Sequence, residues 1–115
     1  MSKKIKEVTS EYSSRGLMLG GELYLRLGDA LNFIKECEDN NLAVIGLEGV
    51  VVERNDLIPQ IDKIYDASSP YSNNWDEYRV NVNNGAIKLL ENLSATENLY
   101  FTFVVVSELE YIRSK

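Results

Sequence analysis

Leu42-Ala43-Val44-Ile45-Gly46-Leu47-Glu48-Gly49-Val50-Val51-Val52-Glu53 decides the fold of this chain. The run is rich in β-branched residues and apolar on both alternating faces, which is how a central strand covered on both sides reads. A second stretch of the same kind, Leu99 to Ser107 (LYFTFVVVS), stands near the other end. The spacing predicts that these two strands occupy the middle of one sheet, with the remaining elements arranged around them.

Working outward, Asp29 to Asn40 reads as a helix. Asp29 is a suitable N-cap, and Ala30, Leu31, Phe33, Ile34 and Cys37 form one apolar stripe at helical spacing. Glu36, Glu38 and Asp39 fall on the opposite, watered side, and Asn40-Asn41 supplies a stop. Before it, Gly20-Gly21 marks a turn, and Leu23, Leu25 and Leu27 alternate with polar residues as in a half-buried strand. After the first long strand, apolar positions 57, 58, 61, 64 and 65 predict a helix, with Pro59 tolerable only in its first turn. Residues 66–82 carry the turn chemistry of Ser68-Ser69-Pro70 and Asn73-Asn74. They end in a short strand, Tyr78 to Val82, and a helix capped by Asn83 or Asn84 follows to about Leu93. The expected fold is therefore α/β: a single-domain layered mixed β-sheet of four to five strands with two to three helices. Residues 16–115 make that domain, and the charged residues 1–15 are expected to fray or dock loosely.

Composition narrows the chemistry. The 115 residues include no histidine and one cysteine, Cys37. Without imidazole, neither a Ser-His-Asp triad nor a Cys-His pair nor the usual zinc site can be assembled. Cys37 lies on the apolar stripe and reads as a small core residue; lacking a partner, it points to a cytoplasmic protein. No apolar stretch reaches 18 residues, so no membrane-spanning helix is expected, and the N-terminus lacks the pattern of a secretory signal. The net charge of −6 is unevenly spread, because residues 16–110 hold sixteen acids against six bases. A body of that sign repels nucleic acid and attracts a basic protein. No glycine cluster matches a nucleotide-binding loop, the paired acids lack calcium-loop spacing, and no cofactor or metal is expected.

Two places could carry function. Glu48 interrupts an apolar strand between Gly46 and Gly49. It could be structural, bind a partner, or act as a desolvated acid–base group in a ligand pocket, and its glycine neighbours also mark bulges and close backbone approach. The second is the tract around Tyr71, Trp75, Asp76, Glu77 and Tyr78, where aromatics interleave with acids as at protein interfaces. Trp75, the only tryptophan, serves equally well as a plug at the edge of the core.

With these pieces in order, the chain resembles the immunity protein 40 family of bacterial polymorphic toxin systems. The resemblance rests on Asp29-Ala30-Leu31, on Val44-Ile45-Gly46-Leu47-Glu48-Gly49-Val50 and on Tyr71-Ser72-Asn73-Asn74-Trp75, over residues 25 to 107. It implies a non-enzymatic protein encoded beside a toxin, a basic nuclease being one candidate, that binds and neutralises it. The expected interface comprises Tyr71, Trp75, Asp76, Glu77 and Tyr78, with Glu36, Glu38 and Asp39 as a second acidic patch and Glu48 as a further contact. The assembly is a monomer or homodimer. The rival expectation is a small-ligand-binding protein or carboxylate-dependent enzyme with its pocket at Glu48.

Overall fold

The computed structural model describes residues 2–54, 56–67, 74–96 and 98–113, with Ile61 described by its backbone alone. Chain order is α1 (Ile5–Tyr12), a 3-10 turn (Ser13–Arg15), β1 (Leu17–Leu19), β2 (Glu22–Tyr24), α2 (Leu27–Asp39), β3 (Leu42–Glu53), β4 (Asp56–Asp66), α3 (Trp75–Glu91), β5 (Leu99–Ser107) and α4 (Glu108–Arg113). The fold is α/β. β3 and β5 have the bounds the sequence predicts, and β3 lies at the centre of the order β4-β3-β5. Every described pairing is antiparallel, which corrects the mixed sheet. The reason is connectivity: β4 follows β3 as a hairpin, Glu53 pairing with Asp56 and Arg54 taking φ 49 at the turn.

The β1–β2 hairpin turns on Gly20-Gly21, whose φ values of 59 and 81 suit the tight two-residue turns that match strand twist. It joins the sheet through one bridge, in which Leu25 and Phe101 exchange backbone hydrogen bonds of 2.9 and 2.7 Å. Phe101 is fully buried there, opposite Gly49 of β3 on its other side.

Residues opposite one another across a ladder share a face. One face of the sheet carries Leu47, Phe101, Phe103, Leu23 and Leu25 into the main core with Phe33, Ile34 and Cys37 of α2. Ala86 and Leu90 from the second half of α3 complete it. Beside it, Ala43 of β3, Trp75, Tyr78 and Val82 of α3 and Tyr111 of α4 make a second, smaller cluster. Tyr78 and Tyr111 stack at 4.6 Å between ring centroids, and Trp75 lies 5.3 Å from Tyr111.

Four local expectations are corrected. Residues 56–65 form strand β4, because the free edge of β3 offers a ladder that outweighs a helical spacing broken by Pro59; as an edge strand β4 tolerates that proline opposite Val50. Residues 75–91 are one helix, with no strand at Tyr78–Val82. Tyr78, Val80 and Val82 alternate, but Tyr78, Val82, Ala86 and Leu90 also recur every fourth residue. The start signal upstream decides: the Asn74 side chain accepts from the Glu77 backbone N–H at 3.0 Å, with Asp76 and Glu77 in the first turn. α2 begins two residues before Asp29, whose carboxylate sits in the first turn and not at the cap. Finally, residues 1–15 contain a docked helix, since Val8 and Tyr12 are buried in the main core and the Lys3 backbone N–H donates to Asn40 Oδ1 at 2.8 Å.

Candidate functional site: the open face of the sheet

β3 contains two irregularities, and each falls at a glycine flanking Glu48. The ladder with β5 shifts register between Val44 and Gly46, and the ladder with β4 shifts between Glu48 and Gly49. At Gly49 a β-carbon would come within 2.8 Å of Lys63 Cβ and 3.2 Å of Phe101 Cε1, so the bulged partner strand occupies the space of a side chain. The sequence reading of these glycines as bulge markers holds.

The bulges present Glu48 on the face turned away from α2. Its ladder partners there are Ile64 of β4 and Thr102 of β5, and the next row is Asp66, Gly46 and Val104. Ile64 and Val104 are 50% and 56% exposed, so this part of the face is open. A shallow groove of about 360 Å³ runs over Gly46, bounded by Ile45, Ile64 and Val104 and by the carboxylates Glu22, Glu48 and Asp66. No lysine or arginine lines it among the described residues. Glu48 is half-buried, and its carboxylate makes no hydrogen bond or ion pair among the described residues. Glu22 accepts a hydrogen bond of 3.1 Å from the buried Tyr24 hydroxyl. Burial, that hydrogen bond, and the charges of Glu22 and Glu48 raise the Tyr24 pKa, so its phenol stays neutral as a donor.

The acidic–aromatic tract is built differently. Trp75 and Tyr78 are 7% and 3% exposed in the small cluster, so Trp75 is the plug at the edge of the core and not a surface anchor, and the expectation of Tyr78 as an anchor is corrected. Their polar atoms are satisfied inside: Trp75 Nε1 donates to Asn41 Oδ1 at 2.8 Å and Tyr78 Oη to the Ala67 carbonyl at 2.7 Å. Tyr71 lies outside the described residues. Arg79 ties the surrounding carboxylates together, its Nε donating to Glu38 at 3.0 Å and its Nη1 to Asp76 at 2.7 Å and to Asn41. Burial opposes the guanidinium charge, but hydrogen bonds to Asp76 and Glu38 outweigh it and its pKa is raised. Glu36 accepts from Asn40 Nδ2 at 2.9 Å. Asp39 and Glu77 remain exposed. Glu38 thus ties α2 to α3 through Arg79, Asp76 pairs with Arg79 within α3, and Glu48 lines the groove with Glu22 and Asp66.

Composition and spacing missed Glu22 and Asp66, which come to Glu48 from different strands. The alternation around Leu23 was the one available signal, since it puts Glu22 and Tyr24 together on the opposite face of the hairpin. Cys37 is fully buried, and burial pushes its thiol from 9.0 up to about 12, as suits a core residue and not a nucleophile. Among the described residues no group of three or more acidic or sulfur ligands is placed to hold a metal ion. No described helix is long and apolar enough to cross a membrane. No protein-family model, curated protein or solved structure matches the chain.

Proposed function

We propose that this protein is a cytoplasmic immunity protein that binds a basic toxin and neutralises it by docking, without turnover. The observation that carries the reading is Glu48: a half-buried carboxylate in mid-strand, with no ion-pair partner among the described residues, on an open face. A carboxylate at a strand centre costs stability relative to Val or Thr, and that cost has a purpose if a cation arrives from outside. The excess of ten negative charges over residues 16–110 supports the same reading, because it steers a basic partner inward. Resemblance supplies the class of partner, a toxin encoded beside this chain.

The test is co-expression with the polypeptide from the adjacent reading frame. A stable complex on gel filtration and restored growth are expected, both weakening in high salt. Unrelieved toxicity with no complex would refute the proposal. The rival reading, a ligand pocket or enzyme at Glu48, has the groove in its favour. Turnover of a metabolite that vanishes in Glu48→Gln would establish it instead.

A further inference from the structure

We propose that the open sheet face centred on Gly46 and Glu48 is where the partner docks, and that its occupant is a lysine- or arginine-bearing segment flanked by small or aliphatic side chains. The inference rests on the toxin-binding reading and adds the surface and the chemistry that it recognises.

Three features select this face. First, its shape: Gly46 has no side chain, so the floor between Ile45, Ile64 and Val104 is low enough for one or two side chains to lie on it. The groove is open to solvent, unlike the enclosed sites that surround most of a small ligand. Second, its charge: Glu22, Glu48 and Asp66 rim an apolar floor that holds no basic residue among the described residues. A lysine or arginine fits both parts, laying its methylenes on Ile64 and Val104 and its cationic head at the rim. Third, two alternative routes are less favourable. The free edge of β4 is blunted by Pro59 and the register shift opposite Gly49, features that discourage strand addition. On the α2–α3 surface Glu38 and Asp76 are held by Arg79. A second copy of this chain is a poor occupant, because it would bring like carboxylates together on molecules of net charge −6.

The test uses nitrogen-15-labelled protein titrated at low salt with a blocked hexapeptide alternating threonine or valine with lysine, and with its glutamate counterpart. The expected result is saturable shifts of the Gly46, Glu48, Thr102 and Val104 amides with the lysine peptide only. Glu48→Gln should weaken that binding about threefold, the usual effect of one partly exposed charge. Glu91→Gln, an exposed acid on α3 away from the groove, should leave it unchanged. Val104→Lys, at an exposed strand position, should abolish it by filling the groove with its own cation. Absence of shifts, shifts centred on the α2–α3 carboxylates, equal weakening by Glu91→Gln, or the same shifts on raising protein concentration alone would each overturn the assignment. The toxin separates the two proposals. If Val104→Lys binds toxin as tightly as the parent, the surface is wrong and the toxin reading stands. If the parent binds no toxin, the toxin reading fails by itself.

Discussion

Asn83 is a buried polar residue whose loss the structure makes expensive. It is 1% exposed on α3 and faces the first residues of β3, where β4 no longer runs alongside, since that ladder covers only Gly46 to Glu53. Its side-chain amide takes the place of the missing strand. Oδ1 accepts from the Val44 N–H at 2.7 Å, and Nδ2 donates to the Leu42 carbonyl at 3.0 Å and to Glu38 Oε1 at 2.8 Å. In Asn83→Ala two buried backbone groups lose their partners, and each orphan costs about 1–3 kcal/mol. Residual solvation by water entering the gap offsets part of this, leaving an expected loss of about 3 kcal/mol. For a domain of this size that corresponds to roughly a 12 °C fall in Tm. Urea denaturation followed by far-ultraviolet circular dichroism gives the number directly, with an unchanged m-value showing that the folded state is intact. Asn84→Ala, at the exposed neighbouring position, is the control and should stay within about 0.5 kcal/mol of the parent. A loss below about 1 kcal/mol in Asn83→Ala would refute the reasoning, because it would mean that the edge of β3 is satisfied without the amide.

Further outcomes follow from packing. Gly49→Ala should destabilise by about 1–3 kcal/mol, read in the same urea assay, because its methyl meets the Lys63 and Phe101 side chains at their present positions. Cys37 should resist a thiol reagent in the folded protein at pH 8 and react on unfolding. Its raised pKa also gives alkaline sensitivity: the unfolded thiol ionises from 9.0 upward while the folded one holds its proton to about 12. That stabilisation is complete below pH 9 and is lost at about 1.4 kcal/mol per pH unit as pH rises toward 12. Cys37→Ala should flatten this part of the profile.

How much was legible in advance depended on whether the deciding information was local. The bounds of β3 and β5, the turn at Gly20-Gly21, the body of α2 and the burial of Cys37 follow from β-branching, glycine φ and helical spacing, all held within a few adjacent residues. So does the excess of negative charge. Three other features required the assembled molecule. Residues 56–65 have apolar spacing compatible with either helix or strand, and the unsatisfied edge of β3 chose strand. Trp75 and Tyr78 have the same composition whether exposed or buried, and Ala43 of β3 and Tyr111, arriving on α4 from the far end of the chain, help to enclose them. Glu48 was visible as an oddity in its strand, but Glu22 and Asp66 reach it through ladders and a bulge that join residues far apart in the chain. By itself the sequence determined which segments could be strands or helices and that the surface would be acidic, since those properties are set by neighbouring residues. The tertiary structure alone decided which carboxylates are tied up by Arg79 and which face solvent together, because that depends on what packs across from each one.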